Sequence, residues 1–557
     1  MPFRSPVAEY RFLLDAVAGY GEVTATDRFA EAGTETVTAI LDGAARLCDD
    51  VLAPTNRAGD LTPARLENGL VRSSPGFAGA YAAIAGGGWI GLSANPDHGG
   101  MGLPYALATC VNEAMAGANL ALQLNPLLTQ GQIEALEHHA PDWMKALVLP
   151  KLISGEWSGT MNLTEPQAGS DVGALTTRAE AAGDGSYSIT GQKIFITWGD
   201  CDFVDNVSHL VLARLPGAAA GTRGISLFWV PKILPETGAH NALRVVSLEH
   251  KLGLHGSPTA VMAFEGATGW LVGEENAGMA AMFTMMNNAR IGVAAEGVGV
   301  AEAAFQQALD YAQGRRQLGA AIIDHADVRR MLATMKAEIL TARSIMLSCA
   351  VAIDMANATG DAQWTARAGL LTPIAKAFGT DTGADMAQLG IQIHGGMGFI
   401  EETGAAQFAR DVRVTQIYEG TNGIQAMDLV GRKLSDKGEA AQRLIDDICE
   451  TAENARGALP DLADPVWQAA ESLREATEVM VARPMADRGA SAAAYLRAFA
   501  RVLGGQAHLR AALADPARRP LAAFYIRRLL PEHAGLLAQV REGAATVSDV
   551  GLAELMA

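Results

Sequence analysis

The chain has 557 residues, which is longer than a single hydrophobic core usually allows, so several packed domains are expected. Hydrophobic residues make up 49% and charged residues 19%, a balance that excludes a largely disordered protein. The 61 acidic and 43 basic residues give a formal charge of -18, which disfavours nucleic acid and anionic membranes as partners. A small ligand carrying phosphate remains possible, because a few local donors can reverse the field within one pocket.

The cysteines and the N-terminus indicate a protein of the reducing cytoplasm. The five cysteines lie far apart and form no CxxC pair, so neither a zinc site nor a disulfide framework is indicated. Glu9 and Arg11 interrupt the apolar stretch that a signal peptide would need, and no later run of about 18 apolar residues is evident. We therefore expect no membrane insertion.

The pattern of secondary structure changes along the chain. Residues 1–155 show helical spacing, and residues 156–270 consist of short β-type runs between turn residues, which predicts an antiparallel β domain. Residues 271–435 return to long helical patterns typical of a bundle, and residues 436–557 form a helical extension. Because the sheet is segregated from the helices, this order predicts an α+β fold.

Five segments in a fixed order carry a family resemblance: MNLTEPQAGSD, GQKIFIT, YAQGRRQLG, QIHGGMGF and QIYEGTNGIQ. Each alone could be an ordinary turn or helix end. Together, over about residues 80–435, they resemble the acyl-CoA dehydrogenase family, and the terminal segments resemble its longer branch, which includes 3-methylthiopropionyl-CoA dehydrogenases. The resemblance implies an N-terminal helical domain, a middle β domain, a C-terminal helical bundle and an FAD cofactor.

The resemblance also implies which residues bind FAD. The turn that contains Thr164 and Ser170 would run along the flavin, where hydroxyl and N–H donors stabilise developing charge. Phe195 and Thr197 would cover the ring and bond its edge, although many relatives have Trp at the first position and here Trp198 follows the Thr. The full implied set is Met161, Leu163, Thr164, Gly169, Ser170, Phe195, Thr197, Arg315, Gln317, Gln392, Gly395, Gly396, Thr421 and Asn422.

Part of this set implies a second copy of the chain. In the family, the positions of Arg315 and Gln317 reach the FAD of a neighbouring subunit, and an Arg fork suits a pyrophosphate. Without the resemblance, the same residues would be a solvated helix end. The extension after residue 435 could fill the surface through which shorter relatives form tetramers, so we expect a homodimer.

Glu419 is the predicted catalytic base. It lies between two apolar residues and Gly420, where desolvation would raise its pKa toward the working range. The resemblance implies that Gly420 and Arg290 contact the substrate. Some relatives carry the base immediately before that arginine, but this chain has Ala289 there, which cannot accept a proton.

The expected reaction is FAD-dependent α,β-dehydrogenation of an acyl-CoA to a trans-2-enoyl-CoA, with Glu419 taking the α proton and flavin N5 receiving the β hydride. The substrate would be 3-methylthiopropionyl-CoA or a short or medium fatty acyl-CoA. Electron-transfer flavoprotein is the expected acceptor, and no metal is expected. Two alternatives stay open: an acyl-CoA oxidase that uses oxygen, and a non-catalytic helical scaffold that retains the fold.

Overall fold

The computed structural model describes residues 3–557, and the chain opens with a helical domain. Its elements are α1 (Val7–Ala16), α2 (Tyr20–Thr24), α3 (Thr34–Leu47), α4 (Ala53–Leu61), β1 (Arg65–Glu67), β2 (Leu70–Arg72), α5 (Phe77–Gly86), α6 (Tyr105–His139) and α7 (Asp142–Ile153). Helix α6 is almost entirely buried, and its buried residues include polar ones such as Asn112, Glu113 and Gln123 as well as apolar ones. It kinks at Asn119, whose Oδ1 accepts a hydrogen bond from the N–H of Leu122 at 3.1 Å.

A sheet domain follows. Its strands are β3 (Trp157–Asn162), β4 (Arg178–Ala181), β5 (Tyr187–Thr197), β6 (Asn206–Arg214), β7 (Ile225–Pro231), β8 (Leu243–Leu248) and β9 (Thr259–Val272). Strands β6, β7, β9, β5 and β4 pair in a closed cycle, and β8 pairs with β9. The predicted antiparallel pairing holds for most pairs, but β6 lies parallel to both β3 and β4. Side-chain alternation is the same in both arrangements, so the sequence pattern could not separate them.

The second helical domain forms the bundle. Its elements are α8 (Gly278–Gly314), β10 (Arg316–Gln317), β11 (Ala320–Ala321), α9 (Ala326–Thr359), α10 (Ala362–His394), α11 (Ala405–Val412) and α12 (Asn422–Asp428). Helices α8 and α10 approach at backbone contact, since a Cβ added to Gly297 would lie 2.3 Å from the carbonyl oxygen of Gly379. Small residues at this crossing therefore set how closely side chains on the two helices approach.

One helix within residues 3–557, α9, has the length and mean hydropathy of a membrane-spanning segment. Of its most apolar window, 83% is buried inside the protein, which is the pattern of a core helix. Charged residues such as Glu338 and Arg343 interrupt its sequence, so it contains no uninterrupted apolar run of spanning length.

The chain ends in a helical extension that packs onto the bundle. Its helices are α13 (Glu439–Ala455), α14 (Pro460–Ala482), α15 (Met485–Ala514), α16 (Arg519–Arg528), α17 (Glu532–Glu542), α18 (Ala545–Asp549) and α19 (Leu552–Leu555). Helix α15 packs against α9, α10 and α12. At this contact Arg501 of α15 pairs with Glu338 of α9 at 2.6 Å, so the extension is joined to the bundle by a buried ion pair as well as by apolar packing.

Candidate active site

Glu419 lies in the turn that enters α12, with a left-handed backbone at φ 55°, followed by Gly420 at φ 85°. A non-glycine residue adopts this conformation only where its surroundings impose it. The residue as a whole is partly exposed, but its Oε2 is buried and finds no hydrogen-bond partner among residues 3–557. Burial raises the pKa of Glu419 to about 7, and the charges of Arg290 and Lys376 limit the rise. The turn thus presents a carboxyl group that can accept a proton near neutral pH.

Two side chains hold the backbone of this turn. Gln425 Nε2 donates to the carbonyl oxygens of Glu419 at 3.1 Å and Gly420 at 3.2 Å. Lys376 Nζ, on α10, also donates to the Gly420 oxygen, at 3.0 Å. These bonds occupy the carbonyls of two consecutive peptides, Glu419–Gly420 and Gly420–Thr421, which supports the strained conformation.

Thr421 and Asn422 connect the turn to its neighbours. Thr421 caps α12, its Oγ1 accepting from the N–H of Ile424 at 3.2 Å. The amide group of Asn422 faces α10, where it donates to Asp381 at 2.7 Å and accepts from Lys376 at 3.0 Å. With its side chain engaged in this way, Asn422 positions the turn, and any contact it makes to a cofactor would come through its backbone.

Arg290 faces the same turn from α8. Its guanidinium is buried, and Nη1 lies 3.5 Å from Asp428 of α12. A Cβ added to Gly420 would lie 3.8 Å from Nη2 of Arg290, which places the cation beside the turn. Burial lowers the pKa of Arg290, and the negative charges of Asp428 and Glu419 offset only part of this decrease. Ala289, the position used for the base in some relatives, is buried and carries no titratable group.

Sequence reasoning missed two buried charged residues near Glu419, namely Glu296 of α8 and Lys376 of α10. Burial raises the pKa of Glu296 to about 8 and lowers that of Lys376 to about 8. The sequence could have indicated both residues, because each is a single charge in an otherwise apolar helical stretch, VAAEGVGV for Glu296 and PIAKAFG for Lys376. Such charges are rarely buried without a specific partner.

The loop after β3 is held by a buried ion pair. Glu165 accepts from Lys193 Nζ at 2.8 Å, from the N–H of Thr176 at 2.7 Å and from Thr177 Oγ1 at 2.6 Å. Burial alone would raise the pKa of Glu165, but the charge of Lys193 and these hydrogen bonds lower it to about 2. The pair joins the loop to β5, and it was not singled out from the sequence.

This loop and β5 form one surface. The N–H of Ile194 donates to the carbonyl oxygen of Thr164 at 2.9 Å, which sets Thr164 beside the bulge at Phe195. Of the other loop residues predicted to bind the cofactor, Met161 is partly exposed, Leu163 is buried, and Gly169 and Ser170 are exposed. The structure therefore brings the Thr164 segment next to the bulge that contains Phe195, with Thr197 two residues further along β5.

Two aromatic side chains at this surface have opposite environments. Phe195 sits in the bulge at φ 62° with 58% of its surface exposed. Trp198 is fully buried, and its Nε1 donates to the carbonyl oxygen of Ala121 at 3.1 Å. Phe195 is thus free to contact a ligand, whereas Trp198 belongs to the core.

Two substitutions test the different roles of Phe195, which is free to contact a ligand, and Trp198, which belongs to the core. We expect Phe195→Ala to change the absorption spectrum of bound flavin while leaving the free energy of unfolding within about 0.5 kcal/mol of the wild type, since the ring is largely exposed. Trp198→Ala should lower the free energy of unfolding by about 3–5 kcal/mol, because it empties a packed site. Denaturant titrations and flavin spectra of the two variants provide the comparison. An unchanged flavin spectrum in Phe195→Ala would contradict the proposed contact.

The remaining predicted cofactor residues lie at or just beyond the C-terminal ends of α8 and α10, whereas the Glu419 turn contacts the middle of both helices. Arg315, Gln317, Gln392, Gly395 and Gly396 are all exposed. The rings of Tyr311 and His394 stack with centroids 4.4 Å apart, so the two groups are neighbours. Along α8, Arg315 is roughly 37 Å from Arg290, at 1.5 Å per residue. One chain therefore does not bring these residues to Glu419.

The structure also contains a cavity of about 560 Å³ between the bundle and the extension. It is lined by residues of α2, α9, α10, α13 and α15, and none of the predicted site residues is among them. Of its two arginines, Arg367 is paired with Asp447 and Arg510 donates to the carbonyl oxygen of Val17 at 3.0 Å. This cavity is separate from the Glu419 site.

The helical domain, the sheet domain and the helical bundle each match a model of one protein family. Family models match in order: the acyl-CoA dehydrogenase N-terminal domain at residues 34–156, the middle domain at 160–267 and the C-terminal domain at 276–434. The extension matches a model described as acetyl-CoA dehydrogenase C-terminal like, at residues 444–550. The chain belongs to the acyl-CoA dehydrogenase family, which confirms the fold and the family predicted from the sequence.

Individual relatives point to the same activity. The chain is 46% identical over 470 residues to 3-methylmercaptopropionyl-CoA dehydrogenase of Ruegeria pomeroyi, covering 81% of this chain and 80% of that one. It is 34% identical to the broad-specificity linear acyl-CoA dehydrogenase FadE5 of Mycobacterium tuberculosis, over 82% of this chain and 79% of that one. The protein is therefore an enzyme that carries out flavin-dependent dehydrogenation of an acyl-CoA.

Solved structures share the fold at lower identity. The crystal structure of Caenorhabditis elegans ACDH-11 in complex with C11-CoA matches with a TM-score of 0.82 and 20% identity, covering 95% of this chain and 92% of that one. An acyl-CoA dehydrogenase of Bacillus anthracis complexed with FAD matches with a TM-score of 0.78 and 19% identity, covering 97% and 92%. Both matches span the extension, which is consequently part of a known architecture.

Proposed function

We propose that Glu419 removes the α proton of a short acyl-CoA thioester, with 3-methylthiopropionyl-CoA as the first candidate and short or medium fatty acyl-CoAs as the others. One observation carries the proposal: a buried carboxyl oxygen of Glu419 has no partner within the described chain, and burial raises its pKa to about 7. A base with a pKa near the working pH is substantially ionised and still takes a proton readily. Arg290 and Lys376 stabilise its ionised form.

FAD fits the surface formed by the Thr164 loop and the β5 bulge. The exposed Phe195 ring offers an apolar face, and Thr164 and Thr197 offer hydroxyl groups beside it. When bound, the flavin supplies the acceptor for the β hydrogen, which leaves as hydride. The backbone N–H of Glu419 would donate to the thioester carbonyl and stabilise the charge that develops as the α proton leaves. Arg290 and Gly420 would line the substrate side of the turn.

The exposed hairpin formed by β10 and β11 supports a homodimer in which each chain completes the other's cofactor site. Arg315 and Gln317 are exposed, and α8 holds them roughly 37 Å along its axis from Arg290. A second copy could bring this hairpin, together with Gln392, Gly395 and Gly396, to the far end of an FAD bound beside Glu419. The extension packs on the bundle and favours a dimer over a tetramer.

The proposed electron acceptor is electron-transfer flavoprotein, and the proposed compartment is the cytoplasm. All five cysteines are free and buried in the described structure, as suits a reducing compartment.

The acyl-CoA oxidase alternative differs in the fate of the electrons. Reducing the enzyme anaerobically with substrate and then admitting air distinguishes the two, since rapid peroxide release would identify an oxidase.

The substrate is tested by the rate at which different acyl-CoAs bleach the bound flavin. We expect 3-methylthiopropionyl-CoA and butyryl-CoA to bleach it fastest and long-chain acyl-CoAs to be slower. The measurement is an anaerobic stopped-flow titration of the yellow holoenzyme with each thioester. A preference for long chains would overturn the proposed substrate class.

A further inference from the structure

A second buried carboxyl group lies beside the proposed base. Glu296 of α8 is fully buried, and its Oε2 accepts a hydrogen bond from the hydroxyl of Tyr418. Its Oε1 is buried as well and meets no hydrogen-bonding group in the described part of the chain. Tyr418 immediately precedes Glu419, so this contact reaches the base through a single peptide unit.

The contact is one half of a clamp on the turn. From α8, Glu296 holds Tyr418 on the N-terminal side of Glu419, and from α10, Lys376 holds Gly420 on the C-terminal side at 3.0 Å. The two helices meet at backbone contact at Gly297, directly after Glu296. The clamp therefore rests on a part of the bundle where two helices are in backbone contact, and a residue with φ 55° needs such support.

We propose that Glu296, acting through Tyr418, is a positioning residue that orients the carboxylate of Glu419 and sets the pH range over which it works. The inference rests on the proposed role of Glu419 as the base. A misplacement of about 1 Å in a reacting group can lower a rate by up to about 100-fold, so a rigid link to the residue before the base has a direct effect on catalysis.

The charges around Glu296 and Glu419 determine how the reaction rate should change with pH. The charged and titratable groups around the pair formed by Glu296 and Glu419 are Arg290, Lys376, Asp381, Tyr418 and Asp428. Burial raises the pKa of Glu296 to about 8, above the value of about 7 for Glu419, so at pH 7 Glu296 keeps its proton while much of Glu419 is ionised. Above about pH 8 Glu296 ionises too, and the second negative charge strengthens Glu419 as a base.

Four variants of the FAD-bound enzyme test the inference: Glu296→Ala, Glu296→Gln, Tyr418→Phe and the Glu296→Ala/Tyr418→Phe double variant. We expect Glu296→Ala and Tyr418→Phe each to lower kcat between about 10- and 100-fold with little change in KM or flavin content. The double variant should be no slower than either single one, because both remove the same contact. Glu296→Gln, which still accepts from Tyr418, should restore most of the loss at pH 7.

The pH profile supplies a readout that a purely structural role would not move. Profiles of Glu296→Gln and the wild type should run parallel below about pH 7 and diverge above about pH 8, where only the wild type gains the second charge and becomes faster. Additive losses in the double variant, or Glu296→Ala and Tyr418→Phe with wild-type kcat, would overturn the inference. That failure is distinct from failure of the proposed function, which would appear as retained activity in Glu419→Gln.

Discussion

Replacing Glu419 by Gln is expected to give a folded, yellow protein whose flavin no longer bleaches when an acyl-CoA is added. Gln keeps the size and polarity of the side chain but cannot take the α proton. The loss of a positioned base should lower the bleaching rate by roughly 10²- to 10⁴-fold. Anaerobic stopped-flow absorbance of the oxidised flavin measures this rate directly, and the flavin content of the purified variant shows that cofactor binding survives.

Glu402→Gln is the matched control, because Glu402 is an exposed glutamate close in the chain to the same site. It should bleach at the wild-type rate. In the wild type, the rate should rise as the pH passes through about 7, where Glu419 becomes ionised, and should rise further above about pH 8, where Glu296 ionises as well. Bleaching of Glu419→Gln at a rate close to the wild type would exclude Glu419 as the base.

The same substitution should stabilise the fold. The pKa of Glu419 is raised in the folded state to about 7 from its ordinary value of 4.5, so the folded protein is favoured when this group is protonated. That contribution is fully present below about pH 4.5 and is lost as the pH rises through about 7. Glu419→Gln, which is neutral at every pH, should therefore melt at a higher temperature than the wild type above pH 7, while losing activity.

Removing Glu165 is expected to have the second-largest effect, on stability and cofactor content. Glu165→Ala leaves the ammonium of Lys193 fully buried without its carboxylate. Breaking a buried pair from one side costs about 3–5 kcal/mol in other proteins, because the remaining charge is uncompensated. The loop with Thr164 should loosen with it, so the purified variant should carry less FAD. Denaturant unfolding and the flavin-to-protein absorbance ratio measure the two effects.

Two further variants separate charge burial from loss of a side chain. Gln167→Ala removes an exposed residue that also donates to Glu165, at 2.7 Å, and should change the free energy of unfolding little. The double variant Glu165→Leu/Lys193→Met removes both charges and should recover much of the stability lost in Glu165→Ala. If the double variant is less stable than Glu165→Ala, the uncompensated charge of Lys193 is not the cause of the stability lost in Glu165→Ala.

The sequence by itself determined the order of the domains, the family and the reaction. Helical periodicity and β alternation are local properties of the chain, so the change of pattern near residue 156 and again near residue 271 could be recognised without a structure. The segments around Thr164, Arg315 and Glu419 carry their resemblance in consecutive residues for the same reason. The particular roles given to those residues stay predictions.

Only the tertiary structure decided how distant residues meet. Glu296 and Lys376 are single charges within apolar helices, and only the packing of α8 and α10 places them on either side of Glu419. The sequence could not tell that Phe195 points outward while Trp198 is buried, since Phe195 lies in a bulge and Trp198 follows the end of β5, each with a left-handed backbone. These features depend on contacts between residues far apart in the chain, and local patterns carry no information about such contacts.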